Sequence, residues 1–139
     1  MRIRLGVLCL LLTATTASAQ SLEQQAICAK QAKVAFEKYN ADSKEFAKEA
    51  APNFTEYQSH YNTKINKCLI DIDGMFIGNG TTTTFALLMD AYEQRIYAQY
   101  FGGGSPGNDS CDLTPSFKEQ THCSSKDEYD AFVAKYMEE

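Results

Sequence analysis

The densest grouping of reactive side-chain types in the chain is Ser59-His60-Tyr61-Asn62. An imidazole titrates near neutral pH and can take or give a proton, a phenol donates a hydrogen bond, and an amide both donates and accepts. His60, Tyr61 and Asn62 are therefore the candidate binding residues, and an enzyme centred on His60 is one reading of them. No serine sits in a nucleophile elbow and no carboxylate is tied to His60 by spacing, so no catalytic residue is assigned. The plainer reading is a histidine that satisfies backbone groups in a turn ahead of the next strand.

Three other patterns carry less chemistry. Cys111, His122 and Cys123 include metal-ligand types, but their spacing matches no zinc pattern, and adjacent residues of a strand point to opposite faces. Asp71-Ile72-Asp73-Gly74 has the opening of a calcium loop, yet the twelfth position, where a bidentate glutamate belongs, is Thr82. Strand aspartates that alternate and face solvent account for it. The run Gly102-Gly103-Gly104-Ser105-Pro106-Gly107-Asn108 is glycine-rich like a phosphate cradle, but Asp109-Ser110-Cys111 follows instead of a lysine and a helix start. No cofactor and no metal is expected.

The start of the chain bears on location. Arg2 and Arg4 precede the apolar run Leu5 to Leu12, and small residues close the segment at Ala17-Ser18-Ala19. A positive start, a short apolar stretch and small residues at the end describe a secretory leader cut after Ala19. The run is well short of the roughly 20 residues that span hydrocarbon, so no membrane span is expected after cleavage. Leu10, Leu11 and Leu12 continue it past Cys9, which argues against lipid attachment there. The expected organisation is a leader over 1–19 and a single domain over 20–139; 139 residues less 19 leaves 120. That length buries about two thirds of its unfolded surface. The chain has 13 basic and 18 acidic residues; without Arg2 and Arg4 the balance is 11 against 18, a net charge of −7. Such a surface repels phosphate backbones, and no basic stripe reverses this, so nucleic acid is excluded as a partner.

Four cysteines outlast the leader: Cys28, Cys68, Cys111 and Cys123. In an oxidising compartment an even number reads as two disulfides, with three pairings possible. The stretch between Cys111 and Cys123 contains Pro115 and polar residues and can turn back on itself. This favours Cys111 with Cys123 and leaves Cys28 with Cys68. Loop closure predicts about 3 kcal/mol for the short loop and about 4 kcal/mol for the long one.

These residues need elements to position them. Ser21 with Gln24 forms a capping box, and Leu22, Ala26, Ala29, Phe36 and Tyr39 recur at helical spacing, predicting a helix that ends near Asn40. Asp42 with Glu45 marks a second start, for a short helix to Ala51 that Pro52 ends. Lys67 to Asp73 reads as a strand that stops at Gly74, and Asn79-Gly80 as a turn. Phe85, Leu88, Met89, Tyr92 and Ile96 fit a helical stripe, but β-branched and aromatic enrichment favours two strands, Thr82 to Tyr92 and Arg95 to Phe101. Ser125 with Glu128 opens a last helix whose apolar face is Tyr129, Phe132, Val133, Tyr136 and Met137.

Over most of the chain after Ala19 the sequence resembles a group of small exported bacterial proteins of unknown function. The resemblance is carried by Cys28-Ala29-Lys30-Gln31-Ala32, by Ser59-His60-Tyr61-Asn62 with Asn66-Lys67-Cys68, by Asp90-Ala91-Tyr92-Glu93, and by Cys123-Ser124-Ser125 before Glu128-Tyr129-Asp130 and Tyr136-Met137-Glu138. Similar chains have a glycine near Gln94, which implies a hairpin turn there, and keep the four cysteines, which implies structural bonds. A bacterial source implies that the sequons at Asn53, Asn79 and Asn108 are incidental. The expected fold is α+β: an N-terminal helix, an antiparallel sheet of three to four strands, and a C-terminal helix over one sheet face, with two disulfides. The expected function is a non-enzymatic binding or interaction module of the cell envelope, periplasmic or secreted, whose partner is a protein or envelope component. An inhibitor of an exported hydrolase, presenting the loop Gly102 to Asn108, is the alternative, and an enzyme at His60 the third.

Overall fold

A computed structural model describes residues 14–46, 52–78, 80–103, 109–114 and 119–138. Residues 1–13 of the expected leader, the 47–51 end of the expected second helix and 104–108 of the glycine-rich loop lie outside the described residues.

The chain opens with helix α1 (Ala14–Phe46), continues through strands β1 (Phe54–Asn62), β2 (Lys67–Gly78), β3 (Thr81–Asp90), β4 (Ile96–Gly102), β5 (Ser110–Leu113) and β6 (Thr121–His122), and closes with helix α2 (Lys126–Met137). The six strands form one antiparallel sheet in sequence order. The expected helix–sheet–helix order stands, but the sheet has six strands where three to four were expected. β1, β5 and β6 make the difference.

Along the central strands successive residues serve opposite faces. Cys68, Ile70 and Ile72 of β2 and Phe85, Leu87 and Met89 of β3 lie in the cluster under α1; Leu69, Ala86 and Leu88 lie in the cluster under α2. Both faces of the sheet are thus covered, which is why β2 and β3 read as nearly continuous apolar runs. The expected strands Thr82 to Tyr92 and Arg95 to Phe101 correspond to β3 and β4. The turn between them holds Gln94 at φ 56°, a left-handed conformation that glycine adopts without strain.

Three sequence expectations change. No glycine or proline interrupts residues 14–46, so α1 runs unbroken through Ser21 and Asp42: Ser21 is no cap, and no second helix starts at Asp42. The buried stripe of α1 is Cys28, Ala32 and Ala35, with Phe36 and Tyr39 beside it, while Leu22 is 72% exposed and Ala26 and Ala29 also face outward. The cystine between Cys28 and Cys68, with Cα atoms 5.3 Å apart, sets this rotation. Lastly, β2 does not stop at Gly74. Gly74 stands opposite Phe85 in the β2–β3 register, and the Phe85 ring lies over its backbone where a side chain would be.

The other expected features are present. Gly80 turns the β2–β3 connection at φ 74°. Ser125 caps α2 and accepts a bond from the Glu128 amide at 3.3 Å. The Glu128 carboxylate reaches the Ser124 amide and hydroxyl, one residue earlier than a capping box requires. The second cystine, Cys111–Cys123, closes the β5–β6 hairpin with Cα atoms 5.0 Å apart.

A methyl group at position 74 would lie against the Phe85 ring and 2.9 Å from the Phe54 carbonyl oxygen. Gly74→Ala is expected to lower stability by about 2 kcal/mol, the usual cost of overpacking. Gly78→Ala, at a position with nothing within 4 Å, serves as the comparison in urea denaturation and should change little.

Candidate functional site

Six strands about 4.8 Å apart make a sheet roughly 24 Å across, whereas a helix with its side chains is about 10 Å wide. One helix cannot cover such a face alone. Under α2 the shortfall is filled by Tyr97, Tyr100, Tyr129 and Tyr136. Helix α1 lies on β1 and β2, and its buried stripe is mostly alanine.

Between the flank of α1 and the β3–β4 hairpin a cavity of about 320 Å³ remains open. Leu87 and Met89 form its floor, Ile96, 44% exposed, one wall, and Ala35 and Tyr39 the helix side. Asp42, Ser43 and Gln94 stand at the mouth. Lys38 spans that mouth: its Nζ donates to Gln94 Oε1 at 2.6 Å and lies 3.7 Å from Asp42 Oδ2. Burial pushes the Tyr39 phenol above its ordinary value, against a hydrogen bond with Ser43 that pulls it down. The phenol therefore stays protonated at neutral pH. An apolar floor with a few convergent polar groups at the rim is the usual build of a small-ligand site, and the volume sits at the low end of the range for such sites.

His60, Tyr61 and Asn62 lie elsewhere, and the structure divides them: His60 and Asn62 share the α2 side of one strand, and Tyr61 faces the α1 side. They belong to strand β1 and not to a turn; the turn follows at residues 63–66, with Asn66 at φ 55°. His60 pairs in register with Leu69 and shares its α2-facing side, whereas Tyr61 packs against the cluster under α1. Asn62 is 1% exposed and its amide is engaged: Nδ2 donates to the Tyr136 carbonyl at 2.9 Å, and Oδ1 accepts from the Lys64 and Ile65 amides at 3.0 and 3.2 Å. It braces the β1–β2 turn against α2. None of the three lines the cavity. β1 escaped the sequence reading because its polar residues hide the alternation, although its tyrosines, threonine and phenylalanine favour a strand.

The metal-ligand types are used locally. Cys111 and Cys123 are bonded to each other, and His122 Nδ1 lies 2.6 Å from Asp112 Oδ1. Hydrogen bonds from Gln99 and Gln120, before that of His122, hold the Asp112 carboxyl below the ordinary range. Among the described residues, no group of three or more His, Cys, Asp or Glu is placed to hold a metal ion.

Asp71 was expected to face solvent and does not. It lies on the α2 side of β2, where the Tyr129 hydroxyl donates to its Oδ1 at 2.8 Å. Burial, then repulsion from Asp73, pushes the Asp71 carboxyl up to about 6, against the opposing pull of Tyr129 and Lys126. Lys126 Nζ sits 3.7 Å from Asp73 Oδ1 and also pairs with Asp130. The clue in the sequence was Asp71 amid Leu69, Ile70 and Ile72, a run whose apolar residues serve both faces.

Compared with known proteins, the chain matches no protein-family model, no curated protein and no solved structure. Among the described residues, no helix is long and apolar enough to cross a membrane.

A carboxyl whose folded value is raised from 3.8 to about 6 binds its proton more tightly in the folded state. It therefore adds stability as pH falls through 6 toward 4, and above 6 its charge is a cost, at most about 3 kcal/mol. Asp71→Asn keeps an acceptor for Tyr129 without the charge. Thermal melts from pH 4 to 8 should show the variant more stable than the parent at pH 7.5, with the difference vanishing toward pH 4. An equal difference at both ends would overturn the assignment.

Proposed function

We propose that this protein is an exported, disulfide-braced binding module of the cell envelope that takes an apolar group of an envelope component into the cavity between α1 and the β3–β4 hairpin. The observation that carries this reading is that cavity: an apolar floor of Leu87 and Met89, with Ile96 as one wall, under a rim of Asp42, Ser43 and Gln94. Export is supported by the Arg2-to-Ala19 pattern and by two cystines, which persist in oxidising compartments. The likeness to small exported bacterial proteins is part of the same reading. Binding is favoured over catalysis because His60 and Tyr61 serve opposite faces of the sheet and the Asn62 amide is spent on α2 and the turn.

The cavity suits a single ring or short aliphatic group with one neutral polar function. The apolar part would rest on Leu87 and Met89, and the polar part would meet the Tyr39 and Ser43 hydroxyls. Saturation-transfer NMR with indole, p-cresol and cyclohexanol as probes tests this. At least one probe should bind, and Ala35→Leu, which fills the cavity from the helix side, should weaken it at least about tenfold, equivalent to 1.4 kcal/mol. Ser43→Leu, at the mouth, gives a second variant outside the core. Binding by none of the probes, or binding untouched by both substitutions, removes the cavity from consideration.

A further inference from the structure

We propose that the free edge of β1 accepts an extended segment of a partner polypeptide as an added strand, seating an apolar side chain in a second cleft between β1 and α1 with acidic residues next to it. This goes beyond the proposed function and rests on a different face of the molecule.

Among the described residues, β1 ends the sheet and pairs only with β2. Which of its backbone groups point outward is shown at Tyr61: its amide donates to Gln25 Oε1 at 2.8 Å, and its carbonyl accepts from Gln25 Nε2 at 2.9 Å. One carboxamide thus makes the two-bond exchange that a residue of a neighbouring antiparallel strand would make. By the two-residue period of a strand, Thr55, Tyr57 and Ser59 turn their amides and carbonyls the same way. Among the described residues, nothing is hydrogen-bonded to those outward backbone groups.

Sheet edges are usually shielded by charged side chains, lysine above all, by proline, a bulge, shortness, or a covering helix or loop. β1 is nine residues long, Phe54-Thr55-Glu56-Tyr57-Gln58-Ser59-His60-Tyr61-Asn62, contains neither lysine nor proline, and carries one carboxylate, Glu56, on the α2 side, away from the α1 cleft. Among the described residues, shielding stands at its ends, with Pro52 before it and Gln25 on Tyr61. The window offered by the outward groups runs over residues 55–59.

Residues with outward backbone groups project their side chains toward α1, as Tyr57 does in packing on Phe36 with ring centroids 4.4 Å apart. A residue of an added strand opposite Tyr57 would project toward the same face. A cleft of about 540 Å³ opens there, with Phe36 and Tyr57 supplying its apolar surface and Lys33, Lys44 and Glu37 its charges. Lys33 and Glu37 are 3.9 Å apart and largely exposed, a weak pair. Two lysines against one glutamate leave a local positive surplus on a chain of net charge −5. This complements an incoming strand that is apolar at one position and acidic beside it. A second copy of the chain fits less well. The antiparallel register that matches Glu56 of one copy to His60 of the other sets Thr55 against Tyr61, where Gln25 already sits, and the two copies share the same negative charge.

The test uses the full chain, nitrogen-15 labelled and produced with its leader in an oxidising compartment. Two seven-residue peptides serve as probes, one alternating leucine with glutamate and one alternating leucine with lysine. The acidic peptide should shift the Tyr57 and Ser59 amides saturably and slow their hydrogen exchange, with the lysine peptide about fivefold weaker. Ser59→Pro removes an outward N–H without touching the β2 ladder and should abolish binding. Lys44→Glu leaves the backbone intact and should weaken the acidic peptide about fivefold, which keeps the test decisive if the proline variant does not fold. Four results overturn the proposal: no binding by either peptide, equal binding of both, binding that leaves the Tyr57 and Ser59 amides unshifted, or a concentration-dependent dimer that protects those same amides. Because the cavity over Leu87 lies on the other flank of α1, indole or cresol binding there would persist through any of them.

Discussion

A helix resting on a sheet is free to roll and slide unless something holds it at a point, and here the cystine between Cys28 and Cys68 provides that point. Once Cys28 faces the sheet, the helical repeat carries Ala32 and Ala35, four and seven residues on, to the same face. Gln25 and Gln31, three residues to either side of Cys28, are carried to opposite edges of the contact. Gln25 reaches the β1 edge at Tyr61, and Gln31 Nε2 donates to the Ala91 carbonyl, just beyond β3, at 3.0 Å. The helix is thus tied across the sheet at three places: β1, β2 and the end of β3. Leu22, Ile27 and Val34 are left exposed by the same rotation.

The buried polar groups divide by what holds them. Asn62 and Asp90 are each 1% exposed and each ends a strand. Asn62 braces the turn before β2. Asp90 accepts from the Tyr92 and Glu93 amides at 2.8 and 2.9 Å and pairs with Lys67 at 3.1 Å, bracing the turn before β4. Each compensates its burial with bonds that a turn needs. Asp71 has no turn to stabilise. It lies mid-strand with a phenol as its hydrogen-bond partner, so burial acts on its charge largely uncompensated, and that is why its proton affinity rises.

The elements whose identity depends on local chemistry were legible in the sequence. The cap at Ser125 and the stripe Tyr129, Val133 and Tyr136 specify α2 with no reference to anything distant. The pairing of Cys111 with Cys123 followed from what a short polar loop can do, and the turn at Gly80 from the freedom of glycine. What was not legible depended on contacts remote in sequence. Leu22, Ala26 and Ala29 make as good a helical stripe as Cys28, Ala32 and Ala35, and only the bond to Cys68, 40 residues away, chooses between them. Gly74 looked like a strand end because its reason is the Phe85 ring on the next strand. The cavity over Leu87 was illegible for the same reason: Ala35 and Ile96 line one space only because the sheet sets β4 beside β3 and α1 packs next to them, and neither residue advertises a site. His60, the most chemically suggestive residue, turned out to be a strand position whose neighbours on either side serve the opposite face.

The open space beside α1 follows from the same cross-link. Packing a helix against a sheet ordinarily takes large apolar side chains, each contributing about 1.5–3 kcal/mol when fully buried. The stripe Cys28, Ala32 and Ala35 has little such area, and a cystine closing a 40-residue separation contributes about 4 kcal/mol instead, the equivalent of roughly two buried leucines. A covalent bond holds the helix without occupying its flanks, whereas leucines or phenylalanines spread along α1 would have filled both clefts. The α2 face shows the contrast: its cystine joins β5 to β6 and forms no covalent bond to the helix, so α2 is held by Tyr129, Val133 and Tyr136, and the space beneath it is taken up. A helix held by sulfur can leave room beside it for something else, and both clefts proposed here lie along the helix held in that way.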